Sequence, residues 1–160
     1  MDAHRTALSA AASLPLTTLS DRFAGDVITP TDDAYAEARR VWNGMVNEYP
    51  VAVAYCDNVG DVVAAVAFAR EHDLTVAVRS GGHSVSGASV VSGGLVVDCS
   101  RLAWVRVDPE SRTARVGAGA DWGMVDRATQ SFGVATPGGV VSDTGVAGLT
   151  LGGGTGYLSP

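Results

Sequence analysis

The chain has 160 residues, enough for one domain with a buried core, and at 46% hydrophobic and 18% charged it is globular in composition. A net charge of −6 argues against a nucleic-acid partner, because little basic surface is left to displace counterions from a phosphate backbone. All eleven basic residues are arginine, which removes the P-loop lysine, Schiff-base chemistry and lysine general bases.

In chain order, residues 1–24 mix small, polar and weakly apolar types and predict a short helix or a loosely held arm. They lack the sustained apolar core of a signal peptide. Residues 33–44 (DAYAEARRVWNG) predict a helix stopped by Gly44, and Pro50 marks a break before the apolar run VAVAY at 51–55, which has strand character. Asp57 or Asn58 is placed to cap a helix from about Gly60 to His72, with Val62, Val63, Val66, Ala67 and Ala69 as its apolar face. TVAVR (75–79) follows as a second strand and completes a β–helix–β unit of crossover length. LVVDCS (95–100) reads as a strand, and WVRVD (104–108) with TARVGAG (113–119) reads as a hairpin around Pro109–Arg112. Residues 121–132 predict a helix with Met124, Val125 and Ala128 inward and Gly133 as its stop.

Cys56 and Cys99, 43 positions apart in apolar surroundings, read as buried free thiols of a reducing compartment; no C-x-x-C spacing suggests zinc, and no metal site is expected. No run approaches the ~18 apolar residues of a membrane span. The expectation is a cytoplasmic protein without a membrane partner.

Seventeen of the twenty glycines fall between Gly81 and Gly156. Glycine costs backbone entropy, so clusters beyond the needs of turns imply positive φ angles or close approach of backbone to a ligand. The first cluster, RSGGHSVSG (Arg79 to Gly87), follows a strand directly. Its N–H groups could form a nest for phosphate oxygens, with hydroxyls from Ser80 and Ser84 and positive charge from Arg79. A strand-ending turn carrying a solvated histidine would have the same local pattern. The second cluster, PGGVVSDTGVAGLTLGGGTG (Pro137 to Gly156), has a single charged residue, Asp143, and so predicts a segment covered by something, such as a flat aromatic ligand. A Rossmann fingerprint is absent, since Gly117 and Gly119 are followed by Gly123, one place late. The nucleophile elbow fails as well, with Ser86 in its fifth position.

RSGGHSVSG, GGLVVDCS and PGGVVSDTGVAGLTLGGGTGYLSP together resemble the FAD-binding domain of the vanillyl-alcohol oxidase/p-cresol methylhydroxylase (PCMH) family, nearest to its berberine-bridge-enzyme-like bacterial branch. The resemblance implies an α+β fold, a PCMH-type FAD-binding domain of two α/β subdomains at 39–160, incomplete at its C-terminus and without the substrate domain, preceded by an N-terminal arm or helix at 1–38. It implies that Arg79, Ser80, Gly81, Gly82, His83, Ser84 and Gly87 wrap the FAD pyrophosphate and that His83 is joined to the 8α-methyl of the isoalloxazine. Val141 stands where some relatives carry a second linking cysteine, so a single covalent bond is implied. Gly138, Gly139, Val141, Ser142, Thr144 and Gly145 are implied along the isoalloxazine and ribityl chain, and Gly148, Leu149, Thr150, Gly152 and Gly153 around the rest of the cofactor. The implied activity is an FAD-dependent oxidoreductase accepting a hydride from a small-molecule alcohol, amine or carbohydrate-like substrate. The alternative is a truncated, non-catalytic flavin-binding fragment.

Overall fold

The computed structural model describes residues 3–159. Two helices, α1 (Ala3–Ala12) and α2 (Leu16–Ser20), lead to a strand β1 (Asp26–Ile28), a single helical turn α3 (Tyr35–Ala38) and strand β2 (Ala52–Tyr55). Helix α4 (Val59–Glu71), strands β3 (Val76–Arg79) and β4 (Leu95–Asp98) and a hairpin of β5 (Val105–Asp108) and β6 (Thr113–Val116) follow. Helices α5 (Trp122–Gln130) and α6 (Val146–Gly152) close the chain.

One sheet runs in the order β1-β2-β4-β3, with β1 antiparallel to β2 and the other three parallel. The apolar runs of the sequence become its centre because both faces are covered, the condition that lets a parallel strand be apolar throughout. Alternation sends Ala52, Ala54, Leu95 and Val97 toward Ala65, Phe68 and Ala69 of α4. Val53, Ala77 and Val96 point the other way, onto Ala38 and Val90. The β3–β4 crossover, residues 80–94, contains no helix; the first glycine cluster lies within it.

Of the expectation for residues 1–24, the first two lie outside the described residues, and for 3–24 the helical alternative is the observed one. Ala11, Leu16 and Leu19 join the core on the α4 side. Strand β1 was not foreseen, because three residues, DVI, are too short to show a period. Since β1 pairs with β2, the expected border between residues 38 and 39 falls beside a shared sheet. The expected helix over 33–44 is reduced to Tyr35–Ala38. Its continuation would need the carbonyls of Ala38 and Arg40, and the Arg79 guanidinium takes both, at 2.7 and 3.2 Å. The Trp42 N–H meanwhile donates to the Gly82 carbonyl.

Helix α4 has the expected extent, with Asn58 as N-cap accepting from the Asp61 N–H at 3.1 Å, and of its expected apolar face Ala69 is buried and Val62 half-buried against the core. Asp61, Ala65, Phe68 and Ala69 are buried, whereas Val63 and Val66 are exposed. The helix is apolar nearly all round, so the pattern marks its buried face only loosely; Asp61 turns inward to accept the N–H groups of Ala24, Asp57 and Gly25 at 2.9, 2.9 and 3.2 Å. Burial by itself would raise the Asp61 carboxyl, but these donors outweigh it and hold it below the ordinary carboxylate value. With its pKa depressed by folding, Asp61 contributes stability in full above the unfolded value of about 3.9, and that contribution is lost as pH falls through the folded value. Asp61→Ala, which leaves three part-buried N–H groups without their acceptor, is expected to lower stability by about 1–3 kcal/mol in urea unfolding at neutral pH, and the deficit should shrink in acid. A deficit that did not shrink would refute the charge-based account.

The hairpin forms as expected, its turn held by Asp108 Oδ1 accepting from the N–H groups of Glu110 and Ser111. Helix α5 also forms, capped by Asp121 accepting from the Met124 N–H at 2.7 Å. Val125 is buried in it as expected, Met124 and Ala128 are half-buried, and Trp122 is the large side chain turned inward. Gly133, at φ +66°, follows its end.

Candidate functional site

The two glycine clusters meet through their backbones. Residues 142–146 lie along 120–123: the Gly123 N–H donates to Ser142 O at 2.8 Å, the Trp122 N–H to Thr144 O at 3.1 Å, and the Val146 N–H to Ala120 O at 2.9 Å. This alignment delivers Gly145 to the loop that leaves β3. A Cβ on Gly145 would sit 2.6 Å from the Gly81 nitrogen and 2.7 Å from Ser80 Oγ, and one on Gly81 would sit 2.6 Å from the Gly145 nitrogen. Gly145 has φ −64°, so contact rather than dihedral angle demands glycine there. Gly82, at φ +69°, meets the conformational demand instead.

Between them lies a cavity of about 700 Å³, within the range of small-molecule and cofactor sites. Eleven sequence-predicted residues line it: Ser80, Gly81, Gly82, His83 and Ser84 from the first cluster, and Thr144, Gly145, Gly148, Leu149, Gly152 and Gly153 from the second. Val78, Val85, Ser86, Ala88, Ser89, Ala147 and Leu151 also line it and were not anticipated. Of these, Val85, Ser86, Ala147 and Leu151 sit inside the quoted motifs, and Val78 was readable from the alternation of β3.

Seven predicted residues lie outside the lining. Arg79 is committed elsewhere. Its side chain is buried on the far side of β3, paired through Nε with the buried Asp98 carboxylate and bonded to the Ala38 and Arg40 carbonyls. A guanidinium so committed puts no positive charge in the cavity. Gly87 packs on Val46, with φ +80°. Gly138 and Gly139 lie against the Trp122 ring, Ser142 binds Gly123 through its carbonyl, and Val141 and Thr150 are exposed.

Two polar atoms bear on what the cavity takes. Ser80 and Ser89 are among the lining residues, and their Oγ atoms are buried with no hydrogen-bond partner among the described residues. A buried hydroxyl without a partner costs about 1–3 kcal/mol, so two such groups beside one cavity mark the place where a hydroxyl that turned outward would gain an acceptor from a ligand. Hydroxyls, bare backbone and apolar wall (Val78, Val85, Leu149, Leu151) suit a molecule that joins phosphates to a flat ring system, and FAD fits that inventory. His83 stands on the wall with its imidazole stacked on Trp42, centroids 5.6 Å apart and planes 19° from parallel.

Elsewhere, Cys56 and Cys99 are free and buried, as read from the sequence. Burial pushes the Cys56 thiol up to about 12 and raises Cys99, so both stay protonated. No helix of the described residues is long and apolar enough to cross a membrane.

The chain belongs to the FAD binding domain family, whose pattern matches residues 50–160. It is 34% identical over 136 residues to (R)-6-hydroxynicotine oxidase of Paenarthrobacter nicotinovorans, covering 85% of this chain and 30% of that protein. The crystal structure of 6-hydroxy-D-nicotine oxidase from Arthrobacter nicotinovorans superposes with a TM-score of 0.82 at 33% identity, over 85% of this chain and 30% of that one. Phl p 4, a grass pollen allergen with glucose dehydrogenase activity, superposes with a TM-score of 0.81 at 29% identity, over 89% of this chain and 32% of that one. These neighbours establish the mixed α+β PCMH-type fold, and the chain spans about 30% of the length of the curated relatives it matches.

Proposed function

We propose that this chain is the cofactor-holding part of an FAD-dependent oxidoreductase and that His83 carries the flavin covalently. The observation that supports it most is the convergence of Ser80–Ser84 and Thr144–Gly153 on one cavity that has His83 on its wall and, among its lining residues, two serines whose hydroxyls lack partners. FAD supplies the two-electron chemistry when bound; the protein binds, orients and shields it.

In this reading the backbone of Gly81 and Gly82 and the hydroxyls of Ser80, Ser84 and Ser89 hold the pyrophosphate. Thr144, Gly145, Gly148, Leu149, Gly152 and Gly153 lie along the rest of the cofactor, and His83 is bonded through a ring nitrogen to the 8α carbon. Gly138, Gly139, Val141, Ser142 and Thr150 act at one remove, as the backbone that carries the second cluster. Arg79 supports the loop from behind. The substrate is a small molecule that gives up a hydride at a C–H beside oxygen or nitrogen; the names of the relatives, a hydroxynicotine oxidase and a glucose dehydrogenase, support an amine or a carbohydrate-like hydroxyl.

Denaturing the natively produced protein in acid tests the linkage. Yellow colour is expected to stay with the polypeptide, and His83→Ala is expected to release all of it. Colour that survived in His83→Ala would place the bond elsewhere.

A further inference from the structure

We infer that Trp42 is a positioning residue for attachment of the flavin to His83, an inference that rests on the histidyl linkage proposed above. Trp42 stacks on the His83 imidazole at 5.6 Å between centroids, 19° from parallel. Its backbone N–H donates to the Gly82 carbonyl at 3.1 Å, so the chain that carries the indole is tied to the residue that precedes the histidine. Asn43 donates from Nδ2 to the Val85 carbonyl at 2.9 Å, and Val46 closes on Gly87, where a Cβ would lie 2.9 Å from Val46 Cγ2. Residues 42–46 are thus a strap tied to the cavity loop on both sides of His83.

Val46 packs against the core beside Ala38 and Val90, but core packing does not explain Trp42. The Trp42 side chain is 67% exposed, and among the described residues its aromatic partner is His83. Stacking acts on an imidazole in a particular way. The lone pair of a ring nitrogen lies in the ring plane, so an indole against one face leaves the reactive edge open while stopping the ring from turning about its side-chain bonds. An oriented nucleophile reacts faster than a freely rotating one.

Attachment forms a bond from an imidazole nitrogen to the 8α carbon. The imidazole N–H and one 8α C–H each give up a proton, and the two electrons of that C–H pass into the flavin ring. Dioxygen then takes those two electrons with two protons and leaves as hydrogen peroxide. Trp42 takes no part in the electron transfer; it fixes the direction of the nitrogen.

The test uses protein produced natively in flavin-limited cells and then incubated with FAD in air, following acid-stable flavin fluorescence on denaturing gels against time. Trp42→Ala keeps its backbone N–H and so its tie to Gly82. It is expected to bind FAD as tightly as the parent, by fluorescence titration, but to acquire acid-stable flavin roughly tenfold more slowly. Trp42→Phe, which keeps an aromatic face, is expected to recover most of the rate, and Trp42→Leu, which keeps only bulk, is expected not to; this pair carries the comparison if the alanine variant folds poorly. Equal rates in Trp42→Leu, Trp42→Phe and parent would overturn the positioning role. Acid-stable flavin in His83→Ala, or none in the parent, would instead overturn the linkage itself.

Discussion

Asp98→Ala is expected to cost about 3–5 kcal/mol of folding stability, because it leaves the Arg79 guanidinium charged, buried and without its counter-ion. Arg79 and Asp98 face each other across the parallel pair β3–β4 at the ends of both strands. The same carboxylate accepts the Ser100 N–H at 2.8 Å, while Arg79 ties down the Ala38 and Arg40 carbonyls. One substitution therefore loosens the exit of β4, the chain after α3 and the start of the cavity loop together. Chemical denaturation measures the loss; a drop below about 1 kcal/mol would show that water or a rearranged acid compensates. Combining Arg79→Met with Asp98→Leu should recover much of the deficit, since an apolar pair of similar volume leaves no charge unpaired.

Gly145→Ala is expected to weaken FAD binding by about one to two orders of magnitude, the scale of the 1–3 kcal/mol that overpacking costs. The added methyl would meet the Gly81 nitrogen and Cα at 2.6 and 3.0 Å, and backbone cannot swing aside as a long side chain can. The two clusters must separate, and with them the walls of the cavity. Titration of flavin-free protein with FAD measures the effect. Gly44→Ala, at a glycine with nothing within 4 Å of an added Cβ, is the matching control. Unchanged affinity in Gly145→Ala would mean that the cofactor does not depend on this contact.

Much of the sheet was legible because VAVAY, TVAVR and LVVDCS are apolar runs of strand length between turn residues, and the hairpin because alternation flanks a turn. Elements held by distant partners were not. Strand β1 exists because β2 offers it an edge, and α6 is a helix rich in glycine whose propensity argues against one. The buried face of α4 is set by Asp61, a charged residue that periodicity assigns to solvent. At the site, the meeting of the glycine clusters could be anticipated from their lack of side chains, since a bare backbone invites close approach. Arg79 could not: beside a glycine nest an arginine looks like a phosphate ligand, and the aspartate that claims it lies nineteen positions along the chain. Trp42 went unremarked for a similar reason, its histidine lying in another segment.

Strand β3 forms one border of the sheet, and among the described residues nothing pairs with its outer side. Two of its valines, Val76 and Val78, are open to solvent at 37% and 63%, and Val78 belongs to the cavity floor. An uncovered apolar strand with free amides is the template on which a second chain adds its own. A cofactor resting on Val78 would cover part of that apolar face while leaving the edge amides open, so a flavin-free chain would present the larger adhesive surface.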